Sequence, residues 1–278
     1  MSILISVDEL ATTLSSSAPG PRPVILDVRW ELNGPPGHKE YLAGHITGAV
    51  YVDLETELSA HGLPTDGRHP VPSPGALQEA ARRWGVDPDS PVVVYDAIGN
   101  QSAARAWWLL RWAGHGDVRI LDGALPAWTS AGLDLATDDV RPDTGTVVLT
   151  GGGLPTIGLD EAAIFPENGI LLDARAPERF RGEIEPIDPK AGHIPGAVSA
   201  PTAANLAHDG RFRSADELRR RFADLGVTDA TPVATYCGSG VTASHQVAAL
   251  AIAGFGAALF PGSWSQWSNH DLPVATGD

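Results

Sequence analysis

Cys237 is the only cysteine in this chain of 278 residues, and it sits in Tyr236-Cys237-Gly238-Ser239-Gly240-Val241-Thr242-Ala243. The preceding run, residues 232–236, reads as a short strand, and residues 243–253 read as a helix of small side chains. Backbone N–H groups at such a strand-to-helix turn, with the helix N-terminus behind them, can hold negative charge on sulfur. That is the setting in which a thiol becomes a nucleophile. Gly238 and Gly240 suit a loop that wraps closely around an anion, which demands close backbone approach and unusual φ. The competing reading is an inert, buried cysteine acting as a small hydrophobe. A place at the start of a glycine-rich turn, not in mid-strand or mid-helix, favours chemistry.

The surrounding residues exclude several chemistries. A cysteine phosphatase loop, C-x5-R, would need arginine where Ala243 stands. A metal centre needs several ligands at suitable spacing, and no second cysteine exists. Residues 238–243 match G-x-G-x-x-[G/A], but a dinucleotide site also needs an acidic residue about 20 positions on. The first acid after Ala243 is Asp271, too close to the end of the sequence for the rest of such a domain.

Composition sets wider bounds. Apolar residues make up 43% and charged residues 19%, as in a globular protein long enough for one large domain or two ordinary ones. One cysteine rules out an internal disulfide framework and fits a reducing, cytoplasmic setting. Residues 1–8 lack a basic n-region and do not read as a signal peptide. No stretch approaches the roughly 20 apolar residues of a membrane helix. A net charge of −15 argues against nucleic acid, and means that an anionic substrate must be captured by a local positive site.

The elements that must position Cys237 occur twice. Val24-Ile25-Leu26-Asp27-Val28-Arg29 is answered by Ile170-Leu171-Leu172-Asp173-Ala174-Arg175. Gly44-His45-Ile46-Thr47-Gly48-Ala49-Val50 is answered by Gly192-His193-Ile194-Pro195-Gly196-Ala197-Val198. Trp84-Gly85-Val86 matches Leu225-Gly226-Val227, the run ending at Asp96 matches the run ending at Cys237, and Gly123/Trp128 match Gly262/Trp267. Each half alternates short apolar runs with helical patterns, so each reads as an α/β unit built on a mostly parallel sheet flanked by helices. Helices are expected at 75–84, 103–112, 214–225 and 243–253. The division expected is a domain over 1–140, a linker over 141–157 and a catalytic domain over 158–278. The linker contains Pro142, Gly145, Gly151-Gly152-Gly153 and Pro155, and a strand-like strap at 147–149. Asp96 at the cysteine position leaves the first domain without thiol chemistry.

With these motifs together, from Val24 to Trp267, the chain resembles a tandem-domain sulfurtransferase of the rhodanese superfamily. Residues 41–49 are similar to the family's first signature, with Thr47 where proline is usual. Residues 259–267 are similar to its C-terminal signature, with Gln266 where glutamate is usual. An inactive first domain also fits. The loop Cys-Gly-Ser-Gly-Val-Thr lacks the basic residues of thiosulfate-preferring members and resembles the 3-mercaptopyruvate subtype.

That resemblance implies a catalytic set of Cys237, Ser239 and the first-domain histidine His45, with an acidic third member unplaced and Glu40 merely nearby. It implies donor binding by Arg179 and by the loop residues Gly238, Gly240, Val241 and Thr242. The family's second carboxylate-binding arginine is replaced by Asp188, with Lys190 or Arg181 as substitutes and thiosulfate left open as donor. The expected reaction is ping-pong sulfur transfer through a Cys237 persulfide, from a small anionic donor to a thiol, cyanide or thioredoxin-like acceptor, without metal or organic cofactor. The alternatives are a non-catalytic persulfide carrier or interaction module, and a redox-sensing cysteine. Other residues read as structural: His193 as a loop organiser (a reading open to His45 too), Asp27 and Asp173 as caps at strand ends, Arg29 and Arg175 as scaffold, Arg105, Trp107, Trp108, Trp264 and Trp267 as packing.

Overall fold

A computed structural model describes residues 2–16 and 20–278, which form two compact units. The first comprises the described residues up to 59 with 72–154 and 208–212, and the second 60–71, 155–207 and 213–278. The expected division at 1–140, 141–157 and 158–278 is therefore redrawn. Residues 141–154 stay with the first unit: Gly145 N–H donates to Arg82, Val147 to Val86 and Thr150 to Ala113. Residues 147–149 form no strand, although Val147 and Leu149 are buried and Val148 is 68% exposed, an alternation that explains the strand-like pattern. The segments 60–71 and 208–212 belong to the unit other than the one their sequence position suggests.

In chain order the first unit holds β1 (Leu4–Ile5), α1 (Val7–Ser15), β2 (Val24–Asp27), α2 (Gly37–Ala43), β3 (His45–Ile46), β4 (Val50–Tyr51), α3 (Leu54–Glu57), α4 (Pro74–Arg83), β5 (Val92–Tyr95), α5 (Ala103–Trp112), β6 (Val118–Leu121), α6 (Ala124–Ser130) and β7 (Leu135–Ala136). Its main sheet has the order β1-β6-β5-β2-β4 with every pairing parallel. Strand β5, Val-Val-Val-Tyr, is wholly buried, as expected of a parallel strand covered on both faces. Helix α5 buries every residue from Ala103 to Leu110, Arg105 included, whose Nε donates to the Leu58 carbonyl at 3.3 Å.

The second unit follows with α7 (Leu159–Ile164), β8 (Ile170–Asp173), α8 (Pro177–Phe180), β9 (Val198–Ser199), α9 (Ala215–Asp224), β10 (Val233–Tyr236), α10 (Val241–Ile252), β11 (Ala258–Leu259) and α11 (Ser263–Trp267). Its sheet, β11-β10-β8-β9, is again parallel throughout. Ser214 caps α9 and its partner Glu217 reaches back to the Ser214 N–H at 3.0 Å, a complete capping box. Among the described residues no helix is long and apolar enough to cross a membrane.

The internal repeat extends to side chains. Asp27 accepts from the Arg29 backbone N–H and Nε, and Asp173 does the same for Arg175. Each arginine also donates to a distant carbonyl at 2.7 Å, Gly44 for Arg29 and Gly192 for Arg175. Burial opposes the Arg175 charge, but Asp173 outweighs it and holds the guanidinium above its ordinary pKa. The two histidines match as well. His45 Nδ1 lies 3.0 Å from the Tyr41 carbonyl with its ring stacked on Tyr41, and His193 Nδ1 lies 2.8 Å from the Phe180 carbonyl with its ring stacked on Phe180.

Candidate active site

Strand β10 ends at Tyr236, so Cys237 emerges at the carboxyl end of a central parallel strand, where open α/β sheets place their sites. The Cys237 carbonyl accepts from the Trp264 N–H at 2.9 Å and its own N–H donates to Ser263 Oγ at 3.1 Å, which fixes the residue from both sides. The Gly240 N–H points at the sulfur, 3.1 Å from Sγ, and Ser263 Oγ stands 4.0 Å from it. The thiol is 1% exposed, but it faces main-chain amide and hydroxyl groups, not hydrocarbon alone. Charge on such a sulfur is met by fixed dipoles in place of water.

Gly240 makes this geometry possible. Its φ is +82°, and a Cβ there would lie 2.4 Å from the Pro261 carbonyl oxygen. Only glycine allows both the left-handed turn and that close approach. Val241 and Thr242 then open α10, Val241 buried and Thr242 partly exposed.

Ser239 is buried in the loop, and its Oγ shares a hydrogen bond of 2.7 Å with Nδ1 of a histidine. That histidine is His69. His45, the histidine expected at this serine, is fully buried in the first unit, where it fastens the turn after α2 as His193 fastens its counterpart. The pattern Gly-His-Ile marks a turn-building histidine in both halves. His69 comes from Gly67-Arg68-His69-Pro70, a stretch without helix or strand in the second unit, anchored by the Arg68 N–H to Ser265 Oγ at 3.1 Å.

Two cations lie against the loop at Gly238. A Cβ at Gly238 would meet Arg68 Nη2 at 3.1 Å and Arg179 Nη1 at 3.3 Å. Arg179 donates to Glu185 at 2.7 Å and to Asp188 at 3.3 Å, while Arg68 donates to Asp188. Burial pushes the Asp188 carboxyl above its ordinary range, with Arg68 pulling the other way. Neither expected substitute for the missing arginine is here: Lys190 donates to the His270 carbonyl at 2.6 Å, and Arg181 pairs with Glu183 at 2.7 Å. Glu40 belongs to the first unit, where its carbonyl accepts from Arg29. Trp264 is buried beneath Arg175, whose guanidinium carbon lies 4.6 Å from the ring centroid.

Arg68 and His69 lie outside the motifs above, yet the sequence carries a signal for them. Asp66-Gly67-Arg68-His69 is repeated as Asp209-Gly210-Arg211-Phe212, with both glycines at positive φ. These are the two segments that exchange units, and the Phe212 N–H is held by Asp122 at 2.9 Å.

The rhodanese-like domain family matches residues 6–131 and again 160–270. A Mycobacterium tuberculosis protein assigned as the thiosulfate sulfurtransferase SseB is 48% identical over 99% of this chain and 97% of its own length. A Pseudomonas aeruginosa protein assigned as a 3-mercaptopyruvate sulfurtransferase is 44% identical over 99% of this chain and 98% of its own. The crystal structure of SseA from Escherichia coli, described among 3-mercaptopyruvate sulfotransferases, superposes with a TM-score of 0.83 at 32% identity, covering 95% of this chain and 99% of that one.

Proposed function

The chain belongs to the rhodanese family, as two tandem domains of it, and from that premise we propose that this sulfurtransferase takes its sulfur from 3-mercaptopyruvate in preference to thiosulfate. One observation carries the preference: the 2.7 Å hydrogen bond between His69 and Ser239, two residues after Cys237. The two donors differ in their need for a proton. When a thiolate attacks the sulfane sulfur of thiosulfate, sulfite departs with the electron pair and needs none. When it attacks the sulfur of mercaptopyruvate, the carbon–sulfur bond breaks and leaves the enolate of pyruvate, which must be protonated. A serine–histidine pair in the loop that begins at Cys237 is suited to carry that proton from the donor's thiol to the departing enolate.

The remaining residues fit the same sequence of events. Cys237 forms the new sulfur–sulfur bond and becomes a persulfide, Cys-S-S⁻. The Gly240 N–H and the start of α10 face that charge, and Ser263 Oγ adds a hydroxyl. Arg179, its charge shared with Glu185 and Asp188, presents guanidinium N–H groups beside Gly238 to an anionic donor. An acceptor thiolate, cyanide or the reduced thiol of a thioredoxin-like protein then removes the outer sulfur and restores the Cys237 thiolate. Such acceptors suit a reducing, cytoplasmic setting. A passive persulfide carrier would have no use for the proton relay.

The test compares kcat/KM for mercaptopyruvate and thiosulfate on the purified protein, with mass spectrometry of Cys237. Mercaptopyruvate is expected to be the better donor and to add one sulfur atom to Cys237, removable by cyanide. Faster turnover of thiosulfate would overturn the preference, and undiminished transfer by Cys237→Ala would overturn the mechanism.

A further inference from the structure

Two guanidinium groups converge on Gly238, the residue next to the nucleophile, and the Asp188 carboxylate bridges them. Each is held from behind by an acid. The Asp188 and Glu185 side chains are 3% exposed, whereas Arg68 and Arg179 are 27% and 16% exposed, so the arginines are the more accessible members of each pair. Arg68 Nη1 is engaged by Asp188, but its Nε is buried with no hydrogen-bond partner. A buried donor left unsatisfied calls for an explanation. A cavity of about 390 Å³ lies against Arg68 and Asp188. The Nη2 group, placed beside Gly238, is the part of this guanidinium that an oxyanion at the loop would meet.

We propose that Arg68, together with Arg179, receives the carboxylate of the sulfur donor beside Cys237, with Asp188 as the residue that positions Arg68. The assignment rests on the sulfur-transfer reading above and deepens it, since it supplies from residues 60–71 the second cation absent from position 188. It also bears on the donor's charge. Arg68, Arg175 and Arg179 are balanced by Asp173, Glu185 and Asp188, so the cluster is neutral before the donor arrives. A donor whose anionic group carries one charge leaves that cluster less overcharged than a dianion does, which selects a 2-oxo acid over thiosulfate.

The chain's single cysteine allows a test that needs no sulfur transfer. Iodoacetate and iodoacetamide both alkylate the thiolate with loss of iodide, but only the former carries a carboxylate. The ratio of their rates at Cys237 therefore reads carboxylate capture. In Arg68→Ala the ratio is expected to fall about tenfold from wild type, the size of one charge-assisted hydrogen bond, with a smaller fall in Arg68→Lys. The KM for mercaptopyruvate should rise by a similar factor with kcat changed much less. Arg220→Ala on α9 removes the same net charge away from the site and should leave the ratio as in wild type. An unchanged ratio in both Arg68 variants overturns the assignment. A wild-type protein that fails to transfer sulfur from mercaptopyruvate, while the ratio still falls in Arg68→Ala, overturns the donor reading and leaves the carboxylate site standing.

Discussion

Asp96 takes in the first unit the place that Cys237 takes in the second, and each main-chain carbonyl accepts one N–H at 2.9 Å, from Leu125 and from Trp264. The Asp96 carboxylate fills its own loop as a built-in anion. Oδ1 accepts from the N–H groups of Ile98 and Asn100 at 2.8 and 2.7 Å, and Oδ2 from those of Ser102 and Ala103 at 2.8 and 3.1 Å. The loop thus surrounds a carboxylate where its counterpart surrounds a thiol. Burial pushes the Asp96 carboxyl up in pKa against the pull of those four donors.

Removing that anion should therefore cost stability. Asp96→Ala leaves four inward-pointing N–H groups without their acceptor, and a buried unsatisfied donor costs about 1–3 kcal/mol. A loss of about 3 kcal/mol, with partial relief from entering water, is the expected outcome. Urea unfolding of the variant checks it, and a midpoint equal to wild type would show that the carboxylate holds nothing in place.

The relay makes a donor-specific prediction. Ser239→Ala breaks the 2.7 Å contact with His69 while leaving the Gly240 N–H on the sulfur. Turnover of mercaptopyruvate should fall by about 10²-fold, a usual contribution of positioned proton transfer, and turnover of thiosulfate by far less. His69→Ala should behave alike, whereas His45→Ala should show itself in stability, because its ring is packed on Tyr41 within the first unit. Equal losses for both donors would remove the proton argument.

Much of this was legible in the sequence, for identifiable reasons. Buried parallel strands are continuous apolar runs, so the runs ending at Asp27, Tyr95, Asp173 and Tyr236 stood out, and helices expected at 103–112 and 214–225 formed at Ala103–Trp112 and Ala215–Asp224. Cys237 stood out by its place at a strand-to-helix turn, whereas Ser239 and Arg179 were singled out by the family resemblance and not by pattern. His45 misled because a histidine in a turn looks the same whether it orders the turn or meets a substrate. Arg68 and His69 were missed because they ride on a loop without periodicity, and only tertiary packing brings that loop to Cys237.

Gly240 should tolerate no side chain. Alanine would require a left-handed backbone, at roughly 1–2 kcal/mol, and would place Cβ 2.4 Å from a carbonyl oxygen that belongs to the backbone and has little room to yield. The loop must shift, carrying the N–H that faces the sulfur. Gly240→Ala should lose about 10²-fold in kcat, as displacements of about 1 Å do, and should lower Tm. Activity within twofold of wild type would show that the cup does not depend on this turn.

The carboxyl of Asp188 makes donor binding depend on pH. Burial raises its pKa, Glu185 adds to the rise, and Arg68 and Arg179 oppose it. As pH falls through that raised value the acid is neutralised, the guanidinium pair loses a competing charge, and an anionic donor should bind more tightly. For a carboxyl whose folded value is raised, the sign for stability is the same: its contribution is full at low pH and is lost as pH rises through the folded value. The KM for mercaptopyruvate should thus drop toward acid pH. Asp188→Asn, which keeps an oxygen to accept from Arg68 but carries no charge, should lower KM at neutral pH and flatten its pH dependence. A variant with wild-type KM and an unaltered profile would mean that Asp188 does not compete with the donor for these arginines.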